Sequence, residues 1–425
     1  MASHLLSKSL IALSVLAAHA HLSAQTIDFA GAPLNINTPY LEQLTVTGTY
    51  SVVAPIPALT GITLANGASL PAGLTLDANL SIQTTGLAFG FYSHPGFSVP
   101  LDGDLINQGT LQASGATNAA AMMLNPARVT GSVINEGVLR ATTTGSDPAH
   151  GAAGLQVITS QATSGTVGGN VENRGEIEVN GFNSSGLLIT GDATIGGSLL
   201  NSGQIDINGA GSRGMAAAGS APGTLQVNGS VENSGDIRVT SAGSPSRSAS
   251  MLVFNTEVLG AVRNLGTLEG SGGERMGGIS IVSSQVTSVS NGATGVIDNS
   301  AASTSGIYFE ASQASGLVSN QGKIEVTGSD AFTGAGTGSG GMSIVDSQLD
   351  AGLSNSGEII GRGANPLSGV AGMSLLGSSA SFLHNTGSLD LAGFESSGIY
   401  LYDSQVNGSV LNSGDIKVVS DASAY

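Results

Sequence analysis

Gly229-Ser230-Val231-Glu232-Asn233-Ser234-Gly235-Asp236-Ile237-Arg238-Val239 is the stretch that decides the fold. Ile237 and Val239 are apolar, whereas Asp236 and Arg238 are charged, so the segment alternates with a period of two. Successive strand residues point to opposite faces, and this alternation buries one face and wets the other. The pattern returns as Gly169-Asn170-Val171-Glu172-Asn173-Arg174-Gly175-Glu176-Ile177-Glu178-Val179 and as Gly408-Ser409-Val410-Leu411-Asn412-Ser413-Gly414-Asp415-Ile416-Lys417-Val418. Self-similarity at a fixed spacing is the signature of a repeat architecture.

Moving outward, the central asparagines are Asn107, Asn135, Asn173, Asn201, Asn233, Asn264, Asn291, Asn320, Asn355, Asn385 and Asn412, on average 30.5 residues apart. The copy at Asn291 departs, because Gly292-Ala293-Thr294 intervenes before Gly295-Val296-Ile297. A second element lies between the asparagines: Gly-apolar-x-apolar, often followed by Ser-Gln. Gly278-Ile279-Ser280-Ile281 precedes Ser284-Gln285, Gly341-Met342-Ser343-Ile344 precedes Ser347-Gln348, and Gly398-Ile399-Tyr400-Leu401 precedes Ser404-Gln405. Each repeat therefore holds about three short strands bounded by Gly, Ser or Asn turns. No long segment of 3.6-residue period interrupts them, so helix content is expected to be low.

A coil of three short strands cannot bury its apolar face alone, but stacked coils pair strand on strand around one continuous core. The expected fold is an all-β parallel β-helix, or solenoid, of about eleven recognisable coils. A structural ladder is assigned to Asn107, Asn135, Asn173, Asn201, Asn233, Asn264, Asn320, Asn355, Asn385 and Asn412, each amide bonding the next coil. Asparagine also tolerates left-handed turns, and the glycine two residues later would supply positive φ. Binding of calcium or sugar by these asparagines is the alternative weighed against the ladder. A leucine-rich repeat lacks the Asn-x-Gly-x-apolar-x-apolar turn, a Trp-Asp propeller has a longer period and aromatics, and glycine-rich calcium nonapeptides are missing.

Residues 1–24 read as a secretory signal peptide. Lys8 is the only Lys or Arg before Arg128, Leu10 to Ala18 are mainly apolar, and Ala18-His19-Ala20 and Leu22-Ser23-Ala24 offer small-residue cleavage sites after Ala20 or Ala24. Residues 25–100 read as an N-terminal cap with irregular first coils, since seven of the twelve prolines fall within 27–100. Residues 101–425 form the repeat region, and the stop at Tyr425, just after a repeat strand, is expected to reflect truncation or a missing partner segment.

Composition narrows the functional classes. The chain has 425 residues, 64 Gly, no Cys, no Trp and a formal charge of −17. Without cysteine there is no disulfide framework and no thiolate site. That also suits a chain crossing membranes unfolded. The acidic balance argues against nucleic acid as a partner, because phosphate-backbone binding relies on Lys and Arg. Mean hydropathy of +0.22 argues against a disordered chain.

Together, the signal peptide, the absence of Cys and the recurring Gly-Ser-Val-x-Asn-Ser-Gly-Asp-Ile-x-Val segment resemble the passenger region of bacterial autotransporters. The resemblance is loose over 1–425 and better over 101–425. It implies a right-handed parallel β-helix, exported through the inner membrane to the periplasm and on to the Gram-negative cell surface by an outer-membrane β-barrel. No series of about ten-residue strands with aromatic girdles is present here, so the barrel translocator would be a separate chain or a missing segment. An Asn-Pro-Asn-type signature of exoproteins exported by a separate barrel is also lacking.

Catalytic motifs are sparse. His94, His150 and His384 lie in different repeats without metal-ligand spacing, and no Gly-x-Ser-x-Gly elbow or Walker-type loop occurs. The better lead is a set of outward carboxylates, Glu176, Glu178, Asp206, Asp236, Glu325, Glu358 and Asp415, which stacking would bring together for glycoside cleavage or calcium. Arg174, Arg238 and Lys417 interleave with them, which favours a solvated flank. Tyr308 and Tyr400 share a repeat position, so a short outward aromatic row is expected. The reading is a secreted, surface-displayed adhesion or interaction scaffold, not an enzyme, with no cofactor and no catalytic residue; its surface ligand is unspecified. The alternatives are a polysaccharide-active β-helix enzyme and a truncated, non-functional passenger.

Overall fold

The computed structural model describes residues 25–29, 31–65, 68–93, 101–145, 151–160, 165–241, 247–330, 339–365 and 367–419. The signal segment 1–24, His94, His150 and residues 420–425 lie outside them. The described residues form strands and turns without helix, in sheets of 13 and 33 strands. Strands pair in parallel with their equivalents in the next coil, as Ser185–Gly191 does with Arg213–Gly219. The thirteen strands of the broad sheet mark about twelve turns of a parallel β-solenoid. At about 4.8 Å per coil the stack rises on the order of 55–60 Å.

One coil shows the plan. Ser185–Gly191 lies in the broad sheet; Thr194–Ile195, Leu199–Asn201 and Gln204–Asn208 then trace three ladders of the folded sheet. This coil therefore has four strands, not three, whereas Thr256–Asn264 and Gln285–Asn291 each run through two of the ladders, so their coils have three. The extra one is a two-residue strand too short to show a periodicity. The strands described within 25–93 belong to the same two sheets, and some are longer: Leu44–Ala54 pairs with Leu74–Thr84 over eleven residues. Inward residues of successive coils, such as Ile177, Ile205, Ile237, Ile297 and Ile324, are at most 1 % exposed and build one narrow core. Ile416 and Val418 have a described coil on one side only and are 39 % and 41 % exposed.

Two turn assignments change. Asn-x-Gly glycines such as Gly203 and Gly235 do not adopt positive φ. They are required because a Cβ on Gly203 would run into the carbonyl oxygen of Gly175 in the preceding coil. Left-handed geometry sits instead at the residue before the Ser-Gln pair: Ser283 (φ 49°), Ala311 (φ 49°), Asp346 (φ 46°) and Asp403 (φ 47°). The broad-sheet strand ends there and the chain must bend sharply into the two-residue strand.

Candidate functional site: stacked ladders and a polar furrow

The asparagines from Asn107 to Asn385 lie inside, and Asn412, in the last described coil, is exposed. Asn107 donates from Nδ2 to Asn135 Oδ1 at 2.7 Å, and the chain of amides continues through Asn173, Asn201 and Asn233 at 2.7 Å per link. It runs on through Asn264, Asn291 and Asn320 at 2.9 Å, and through Asn355, Asn385 and Asn412 at 2.7–2.8 Å. Asn291 is thus a full rung; the two extra residues, Ala293 and Thr294, are exposed outside the corner while the amide keeps its place. Asn107 to Asn385 are at most 1 % exposed, which leaves no amide for calcium or sugar. The ladder starts at Asn107 because Leu76 occupies the same position one coil earlier, and the buried Asn107 Oδ1 has no donor.

A second ladder was not read from the sequence. Ser284 N donates to Ser312 Oγ at 3.1 Å, Ser312 N to Ser347 Oγ at 3.0 Å, and Ser347 N to Ser378 Oγ at 3.0 Å. Each of these hydroxyls also donates to a carbonyl two residues back, as Ser312 Oγ does to Glu310 O at 2.7 Å. The recurrent Ser-Gln pair was the available signal. Its serine ties down the bend and its glutamine is left outside. Gln285, Gln313, Gln348 and Gln405, with Asp346 and Asp403, line an open furrow of about 1210 Å³ that follows the solenoid axis. Gln348 Nε2 donates to Asp350 Oδ1 at 2.6 Å, and Gln313 Nε2 to Asp350 Oδ2 at 3.1 Å.

The outward acids are only partly brought together. Register places Glu178, Asp206, Arg238, Glu269, Asp298 and Glu325 in one column. Arg140 clamps Glu176 at 2.7 Å and Glu178 at 3.0 Å, Arg238 holds Glu269 at 2.7 Å, and Lys323 holds Glu325 at 2.7 Å. Glu176, Asp236, Glu358 and Asp415 belong to the neighbouring column. Asp298 stands out: burial, then the carboxylates of Glu325 and Glu269, push it above the usual carboxylate range. Among the described residues no three potential metal ligands converge.

The expected aromatic row does not form. Tyr308 and Tyr400 do share a column, but Ser343 and Ser374 occupy the two coils between them. Tyr308 instead receives the Arg247 guanidinium over its ring at 4.2 Å. His384 stacks on Phe382 with centroids 4.3 Å apart, and its Nε2 lies 2.7 Å from Ser409 Oγ. That pair spans two coils and was invisible to local motifs, yet it is exposed and the furrow does not reach it. No known protein family, curated protein or solved structure matches the chain.

Proposed function

We propose that the chain is an exported, surface-displayed interaction scaffold of the passenger type, acting through the Ser-Gln furrow. The observation that carries this reading is the furrow itself: hydrogen-bonding side chains recur once per coil, about 4.8 Å apart, along an open trough. A repeating row of weak contacts suits an extended polymer, a glycan or an unfolded strand, better than a compact metabolite. Affinity would then come from many simultaneous contacts. The signal segment and the resemblance to autotransporter passengers support export and display, with an outer-membrane barrel as translocator.

The test displays the full chain on bacterial cells and measures attachment to immobilised polysaccharides and matrix proteins. Attachment should fall in the triple variant Gln285→Ala, Gln313→Ala, Gln348→Ala while the β spectrum is kept; unchanged attachment would discard the furrow. Sequencing the N-terminus of the exported form checks the signal, with His21 or Gln25 expected first. A second reading, glycan hydrolysis, is favoured by the raised Asp298 beside Glu325, because one coil spacing approximates the roughly 5 Å between carboxyls of retaining glycosidases. Glycan turnover abolished by Asp298→Asn would establish it.

A further inference from the structure

The outer face of the broad sheet carries a second cleft, independent of the furrow and of any reading of export. Leu188, Ala216 and Leu252 are register neighbours, and so are Thr190, Ala218 and Phe254. The small Ala218 of the middle coil lies between Thr190 and Phe254 of the flanking coils and lines a trough, whereas Ala216 is fully buried. The cleft measures about 540 Å³, a size typical of small-molecule sites. Its walls are Leu188, Leu252, Val282 and Phe254, which is 38 % exposed.

Two arginines border this apolar trough. Arg247 is neutralised: Nη1 lies 2.8 Å from Glu310 Oε2, and Nη2 donates to Tyr308 Oη at 3.2 Å. Arg213 is not. Among the described residues the one hydrogen bond of its guanidinium goes from Nη1 to the neutral Asn183 Oδ1 at 2.8 Å. Part of its surface meets solvent, yet protein atoms crowd the guanidinium, and burial pulls it below its ordinary value. In a chain of net charge −17, a cation beside apolar walls that meets no carboxylate among the described residues is the place where an anion gains most.

The geometry points to a binding site for a small aliphatic monocarboxylate, its carboxylate on the free N–H groups of Arg213 and its chain along Ala218 between Leu188 and Phe254. The apolar walls take the tail and the guanidinium sets its direction. The planar fork of arginine matches both carboxylate oxygens, which a lysine would not do.

Calorimetric titration of the full chain with octanoate, against octan-1-ol as the uncharged molecule of equal length, tests the site. Octanoate should bind saturably with one equivalent and at least about tenfold more tightly than octanol, the scale of a charge-assisted hydrogen bond. Arg213→Gln should erase that preference and leave octanol binding unchanged. Ala218→Phe, on the outer face where folding is undisturbed, should block both ligands. Equal affinity for the two ligands, preference surviving in Arg213→Gln, or no saturable binding would each overturn the assignment.

Discussion

Asn201 Nδ2 lies 2.7 Å from Asn233 Oδ1, although 32 residues separate them in the chain. The same Asn233 passes the contact on, donating to Asn264 Oδ1 at 2.9 Å and to Gly235 O at 2.9 Å. Each rung from Asn135 to Asn385 is donor and acceptor at once, so removing one disturbs two coils. Asn233→Ala is expected to destabilise by about 2–4 kcal/mol, because buried partners lose their bonds without access to water. Exposed Ser234, whose Oγ makes one 3.3 Å bond to Asn201 O, should cost under about 1 kcal/mol when changed to Ala. Denaturant melts of the two variants give the comparison, and equal losses would discredit the ladder.

Ser312 occupies the middle of the second ladder, accepting from Ser284 N and donating to Glu310 O. Ser312→Ala should cost about 1–3 kcal/mol by orphaning the Ser284 N–H. Ser312→Thr should stay within about 1 kcal/mol of the wild type. Thr256 already stands in this column, with its Oγ1 2.8 Å from Phe254 O. Chemical melts distinguish the two; a Thr variant as weak as Ala would mean that packing, not the hydroxyl, governs the bend.

A Cβ on Gly306 would run into Ile324 Cγ2 across the core. Gly306→Ala is therefore expected to cost about 1–3 kcal/mol through overpacking. The column admits a larger residue at Ala121 and at Ser250, and in those coils Leu139 and Leu268 replace the isoleucine found at Ile177, Ile237 and Ile297. Leucine branches one carbon further out. Ile324→Leu should accordingly rescue part of the Gly306→Ala loss, measured as a non-additive term in a double-mutant cycle; strict additivity would show that backbone contact dominates.

Asp298 gives a pH signature. Its folded pKa is raised, so the fold prefers the protonated form, and stability falls as pH rises from the ordinary aspartate value through the raised one. Asp298→Asn removes that loss. The variant should melt higher than wild type at neutral pH, and the difference should close near about pH 3, below the unfolded aspartate value of ~3.9. Thermal melts followed by circular dichroism at both pH values decide it; a gap independent of pH would assign the effect to packing.

The repeat, its period-two faces and the asparagine positions were legible because each is a local pattern that recurs. Ile237 and Val239 announce their inward orientation without knowledge of any neighbour. The reason for Gly203 was not legible: it is dictated by the carbonyl of Gly175, a coil away, and not by its own φ. Likewise the Ser-Gln pair is visible as a signature, but that Ser284 reaches Ser312 depends on the register between coils.

By itself, then, the sequence determined that the chain stacks into a parallel solenoid with asparagine at one corner, since side-chain alternation and turn chemistry act within a few residues. Tertiary structure alone decided which outward groups meet. Arg140 closing on Glu176 and Glu178, Tyr308 engaged by Arg247 instead of Tyr400, and Arg213 bonded to Asn183 with no acid beside it among the described residues all follow from register. Coil lengths vary from repeat to repeat, so contacts across the stack are set by which strand pairs with which, a long-range choice that no short window of residues encodes.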